Sequence, residues 1–320
     1  KDRYEQGKML KETLTRIGGD TSTYKREAWT DDTMLYGASG LMRSDARVFV
    51  SEGVRDDALS SDESLSMGLQ DATLRRGKET VFRGKADVIG ITNGIDTSIF
   101  DVTNRDQFDD YALEKTFHTC GDGRHIDTTN YLLHQKKIKQ DLFDAGIIAD
   151  PEKPVFTFIG RYSSEKGIDM LKSMVDTVKR EGGQCVIMGV RSEDKLAGRM
   201  IDFLKDLATK PEYSGVLKVY DDLREDQLAK FVDKDGDEHD VRKGWLIRAA
   251  SSVVMVPSHA EACGLVPMEA HCTGALVVAP YVQGLRDMCY PVGRPDLTKG
   301  RSLDLSNGGN AVVYDSHEDA

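Results

Sequence analysis

Val155-Phe-Thr-Phe-Ile-Gly-Arg-Tyr-Ser-Ser-Glu-Lys-Gly167 is the stretch that decides the fold. Its first five residues form an apolar run of strand length that is expected to end at Gly160. Ile168, Leu171, Val175 and Val178 then recur at helical spacing, and Gly182-Gly183 stops that helix. The alternation continues downstream. Cys185-Val-Ile-Met188 reads as a strand; Leu196, Met200, Phe203, Leu204 and Leu207 as an amphipathic helix; Gly215-Val-Leu-Lys-Val-Tyr220 as a strand. Val253-Val-Met-Val256, Ala275-Leu-Val-Val-Ala279 and Ala311-Val-Val313 are further buried runs. Short apolar strands alternating with helices predict right-handed βαβ units around a parallel sheet, a Rossmann-like α/β domain.

The first 150 residues carry less of this pattern. Ala46-Arg-Val-Phe-Val50 and Ala86-Asp-Val-Ile-Gly-Ile91 read as two strands, too few for a whole doubly wound domain of about five or six. Residues 101–150 are polar and include His118, Cys120 and His125 near Gly121 and Gly123. That spacing fits no ligand template, so a solvated connecting segment is preferred to a metal site. Asp233-Lys-Asp-Gly-Asp-Glu-His-Asp240 repeats Asp-x-Asp, but its glycine is misplaced for a calcium loop and no glutamate follows at the required distance. It reads as a solvated insertion between two helices, and no metal site is expected.

Composition narrows the class. A chain of 320 residues holds two domains or one large one. With 30% charged and 39% hydrophobic residues it is an ordinary globular sequence. A net charge of -11 argues against a nucleic-acid partner. No run approaches about 18 apolar residues, so no membrane span is expected, and no leader peptide is visible. Five scattered cysteines, mostly inside apolar runs, read as reduced thiols and a cytoplasmic setting.

Two loops carry candidate chemistry. Gly160-Arg-Tyr-Ser-Ser-Glu-Lys-Gly167 follows a strand at the carboxyl edge of the sheet, where ligands of parallel sheets bind. Arg161 can offer its planar fork, and Lys166 a point charge, to a diphosphate. Pro257-Ser-His-Ala-Glu-Ala-Cys-Gly-Leu-Val-Pro-Met-Glu269 also leads from a strand into a helix, with Gly264-Leu265 at the helix entry. Amides there suit a phosphate or a leaving oxygen. Glu269, about one turn in, can reach ribose hydroxyls, and Glu261, before the turn, a sugar. The plain reading is a helix cap and a surface charge, and this loop alone leaves both open.

Together the motifs resemble a known family. Asn93-Gly-Ile-Asp96, Gly160-Arg161 with Lys166-Gly167, and Glu261-Ala-Cys-Gly-Leu265 with Glu269 stand in the order found in retaining GT-B glycosyltransferases. Tyr36-Gly, Ser44-Asp-Ala-Arg-Val-Phe-Val-Ser51, Gly68-Leu-Gln70, Leu74-Arg-Arg-Gly77 and Gln283-Gly-Leu-Arg-Asp287 are similar to segments of glycogen and starch synthases. The resemblance implies a GT-B arrangement: residues 1–92 as the end of an acceptor domain, 93–153 as a connecting segment, and 154–320 as a nucleotide-sugar-binding domain cut short at its C-terminus. It implies that the chain is an excerpt of a longer protein. The implied reaction moves a hexose, glucose by preference, from a nucleotide diphosphate sugar to a glycan or other hydroxyl acceptor with retention, without a metal or cofactor. A donor such as GDP-mannose, or a non-catalytic nucleotide-sugar-binding module, are the alternatives. Arg161, Lys166 and Glu261 would be catalytic. Gly160, Cys263, Gly264, Leu265, Glu269 and Gly284 would bind donor, and Arg248 stands where many synthases stack an aromatic on the base.

Overall fold

The computed structural model describes residues 46–61, 84, 87–96, 128–221, 243–291 and 310–314, with the backbone of short strands at 29–30, 33–34, 75–76, 79–80, 117–120, 123–126, 228–232 and 238–242. The segments around Tyr36, Ser44, Gly68 and Gly121, and residues 233–237, lie outside the described residues.

The chain divides into two units, Lys1–Asn93 and Gly94–Ala320. In the first, Arg47–Phe49 and Val88–Gly90 pair in parallel, register Arg47↔Val88. The helix Glu52–Ala58 follows the first of these strands and is capped by the Ser51 side chain, which accepts from the Val54 amide at 3.0 Å.

The second unit is built on six parallel strands: β1 (Val155–Tyr162), β2 (Gln184–Arg191), β3 (Leu217–Asp221), β4 (Val253–Met255), β5 (Leu276–Pro280) and β6 (Ala311–Tyr314). Their spatial order is β3-β2-β1-β4-β5-β6. The chain winds outward from β1 in one direction and from β4 in the other, so the order reverses between these two strands. That reversal is where open α/β sheets leave a crevice at their carboxyl ends. β1 and β2 are in register from Val155↔Gln184 to Tyr162↔Arg191, whereas β4 meets β1 only at Phe156 and Thr157.

Helices cover both faces: α1 (Thr128–Asp144), α2 (Leu171–Arg180), α3 (Lys195–Ala208), α4 (Lys243–Ala250), α5 (Leu265–Cys272) and the short α6 (Leu285–Met288). Alternate residues of β1 point to opposite sides. Phe158 and Tyr162 join Leu171, Val175, Ile201 and Leu204 of α2 and α3. Val155 and Ile159 meet Ile138 and Leu142 of α1 and Trp245 and Leu246 of α4. A third cluster packs Ala270 and Leu285 onto Val254, Val277 and Ala279. Burial on both faces is why these strands read as continuous apolar runs rather than alternating ones. The buried hydroxyl of Thr157 is satisfied by Ser251 Oγ at 2.9 Å, which donates to the Ile247 carbonyl at 2.6 Å.

Three sequence expectations change. β1 does not end at Gly160 but runs on to Tyr162, because β2 continues beside it and supplies ladder partners for Gly160 and Arg161. The connecting segment contains α1, whose Ile138 and Leu142 are buried in the core with Ile148. Exposed Leu132 and Leu133 on the same helix blur its apolar face in the sequence. The acidic stretch 233–240 is not an insertion between helices: its end belongs to Glu238–Arg242, antiparallel to Leu228–Val232, and α4 follows directly. Within the stretch read as connecting chain, His118 and His125 lie opposite one another in the backbone register of the antiparallel strands Phe117–Cys120 and Gly123–Ile126.

Candidate nucleotide-sugar site

The loops that leave β1 and β4 flank the reversal point and are joined to each other. The Glu165 carbonyl accepts from the His259 amide at 2.9 Å and the Ala260 amide at 3.4 Å. Gly167 sits at φ 67, and a Cβ built there would lie 1.8 Å from the Pro257 carbonyl oxygen. Only glycine permits both that backbone conformation and that approach. His259 Nε2 adds an exposed contact to Asp169 Oδ1 at 2.9 Å. The loop after β1 is also held from the other side, where the Ser164 amide donates to Asp194 Oδ2 at 2.7 Å while Asp194 Oδ1 caps α3 through the Leu196 and Ala197 amides.

Clamping the two loops brings Lys166 and Glu261, 95 residues apart in sequence, into contact: Lys166 Nζ lies 2.6 Å from Glu261 Oε2, with side chains only 21% and 13% exposed. Ser258 Oγ donates to the same carboxylate oxygen at 3.3 Å. The Glu261 main chain is fixed as well, its amide donating to Gln283 Oε1 at 3.0 Å and its carbonyl accepting from the Gly284 amide at 2.9 Å. Gly284 passes so close to this loop that a Cβ would sit 2.7 Å from the Ala262 carbonyl oxygen. Gly264, at φ 93, starts α5, with Cys263 buried beside it and Leu265 42% exposed.

Glu269 falls four residues into α5, and its Oε2 is 2.5 Å from Arg248 Nη2, the side chains 14% and 2% exposed. Arg161 stands apart: its Nη2 pairs with Glu165 Oε1 at 2.8 Å in an exposed i,i+4 contact. The structure therefore brings Lys166 to Glu261 and Arg248 to Glu269, and leaves Arg161 and Lys166 on different carboxylates. Arg248 is 1% exposed, so the open face that base stacking requires is not offered here. Gln283, Ser258, Asp194 and Glu165 escaped the sequence reasoning. Gln283 had a visible signal, standing beside Gly284 in the Gln-Gly-Leu motif; the others are common polar residues in polar loops. Among the described residues no group of three or more His, Cys, Asp or Glu could hold a metal ion, and no helix is long and apolar enough to cross a membrane.

Residues 139–291 match the family of glycosyl transferases group 1, a span that includes α4, both loops and every site residue named above. The matched stretch lies wholly within the second unit, and the chain is also similar to glycogen and starch synthases. The glycogen synthase of Rhodopseudomonas palustris (strain HaA2) is 26% identical over 283 residues, 88% of this chain and 49% of that protein. The glycogen synthase of Exiguobacterium sibiricum is 25% identical over 274 residues, 85% of this chain and 47% of that protein. The chain spans about half the length of these curated relatives. The catalytic domain of starch synthase IV from Arabidopsis thaliana, bound to ADP and acarbose, superposes with a TM-score of 0.63 at 18% identity, covering 88% of this chain and 50% of that one. That likeness shows the GT-B fold class, to which the six-stranded sheet of the second unit belongs. The match begins at residue 139, inside α1, in keeping with the burial of that helix in the same core.

Proposed function

We propose that the group 1 domain binds a nucleotide diphosphate sugar at the carboxyl ends of β1 and β4, and that the protein transfers the sugar, glucose by preference, to a hydroxyl acceptor with retention. The observation that carries this reading is the Lys166–Glu261 pair, held half-buried at the strand-order reversal by two loops joined backbone to backbone. Lys166 and Arg161 supply positive charge for a diphosphate and for the charge that develops as it leaves. Glu261 holds the Lys166 ammonium in place and lies where the transferred sugar would be read. Glu269, one turn into α5, takes the ribose hydroxyls, and the amides at Gly264, Leu265 and Gly284 take phosphate or sugar oxygens. A charge set of this kind handles the leaving group without a metal. The identity of the relatives supports glucose as the sugar, and the ADP-bound starch synthase of the same fold supports a nucleoside diphosphate as the leaving group.

The test is calorimetric titration of ADP, UDP and GDP into the wild-type chain, Lys166→Ala and Arg161→Ala. Loss of a charge-assisted contact from the half-buried Lys166 weakens binding by about 2–3 kcal/mol. Arg161, more exposed and better solvated, accounts for about 1 kcal/mol. Unchanged affinity in both variants would sink the assignment.

A further inference from the structure

Arg248 is the least expected residue beside the site. A long cation at 1% exposure, it lies inside the group 1 domain rather than at its surface. It projects from α4, whose Trp245, Leu246, Ile247, Ala249 and Ala250 are all buried. α4 is tied at its end by the Ser251 hydroxyl, which donates to Ile247, and by Gln135 Nε2, which donates to the Ser251 carbonyl at 3.1 Å. The guanidinium thus starts from a fixed base and reaches Glu269 Oε2 on α5 at 2.5 Å. α5 is secured separately at its C-terminal end, where Tyr131 Oη donates to the Thr273 carbonyl at 2.6 Å. α5 is thus held at that end independently of the Arg248–Glu269 pair.

We propose that Arg248 is a positioning residue for ribose recognition: from within the packing of α4 against α5, it fixes the orientation of the Glu269 carboxylate toward the vicinal hydroxyls of the nucleotide. The proposal rests on the reading of Glu269 given above and adds to it what aims the carboxylate. An ionised carboxylate accepts about four hydrogen bonds, so one engaged by a guanidinium still accepts from hydroxyl donors. A planar fork fixes the carboxylate plane, which an ammonium, a point charge, does not. A carboxylate preset in one orientation binds a diol without the ordering cost of an unconstrained side chain.

The experiment measures the affinity of the 320-residue chain for the tightest of ADP, UDP and GDP and for its 2′,3′-dideoxy counterpart. It is repeated for Glu269→Gln, Arg248→Met and Arg248→Lys. The wild type is expected to favour the ribose form by about tenfold or more, the range for hydrogen bonds to a charged group. Glu269→Gln and Arg248→Met bring that ratio toward one while the dideoxy affinity stays put, and Arg248→Lys falls between. A role confined to holding the helices together lowers thermal stability but leaves the ratio intact. If Arg248→Met keeps the ratio while Glu269→Gln loses it, the positioning role is overturned and the ribose reading stands. If Glu269→Gln keeps the ratio, the ribose reading itself falls and takes the proposal with it. Should Arg248→Met fail to fold, Arg248→Lys decides: a reduced ratio supports the proposal, an unchanged one overturns it.

Discussion

Replacing Gly167 with alanine tests the joint between the two site loops. Two costs follow from the structure. The backbone at φ 67 is unfavourable for any residue with a Cβ, by about 1 kcal/mol. The added carbon would also lie 1.8 Å from the Pro257 carbonyl oxygen, whereas such a contact settles at about 3.3 Å, so the loops must part by about 1.5 Å. Overpacking of that size costs about 1–3 kcal/mol, and parting the loops strains the bond from the His259 amide to the Glu165 carbonyl, about 1 kcal/mol more. The expected destabilisation is about 3–5 kcal/mol, a fall in Tm of about 10 °C for a unit of this size. Gly146→Ala is the internal control. Gly146 has a similar φ of 70 but nothing within 4 Å of a built Cβ, so it pays the backbone term alone and loses about 3 °C. Thermal melts of both variants isolate the contact term as their difference. Below Tm, Gly167→Ala also binds nucleoside diphosphate about tenfold more weakly, because Lys166 is the adjacent residue. Equal melting temperatures for the two variants would refute the contact, and with it the argument that the loops act as one body.

Three further outcomes can be checked together. The Ser164 hydroxyl and amide, with the Ala197 and Leu196 amides, hold the Asp194 carboxyl down at about 2. Because its folded value lies below the unfolded one, ionised Asp194 stabilises fully above the ordinary carboxylate range and loses this as pH falls through about 2. The Tm gap between wild type and Asp194→Asn is therefore flat above about pH 5 and closes between about pH 4 and 2; a gap that widens on acidification contradicts the capping role. Burial pushes the Cys185 and Cys289 thiols up to about 12, while Cys272 is exposed, so iodoacetamide at neutral pH should label Cys272 and spare the other two until the protein unfolds, as peptide mass mapping would reveal. Nucleotide-sugar binding, by the proposal that protein charges handle the diphosphate, persists in EDTA; a strict need for manganese or magnesium would reverse that reading.

What local sequence determined was the kind of elements and their succession. Strands buried on both faces must be apolar throughout, and helices with one buried stripe must repeat about every 3.6 residues, so Val155–Ile159 and Ile168–Val178 announce themselves within a dozen residues. The two site loops were legible for the same reason, since each lies between a strand and a helix. Where the local pattern was diluted, as by exposed Leu132 and Leu133 on α1, a core helix passed for connecting chain. The end of β1 is not legible in local sequence either, because Gly160 stays in the strand only through the partner that β2 supplies. Tertiary structure alone decided which residues meet. The reversal of strand order between β1 and β4 brings together segments about a hundred residues apart, and no spacing along the chain encodes that closure. It joined Lys166 to Glu261 and left Arg161 with Glu165, seated Gly167 on Pro257, and turned Arg248 inward onto Glu269. Charge says that such residues want partners; the choice among many equivalent carboxylates belongs to distance and burial, which exist only once the sheet has formed.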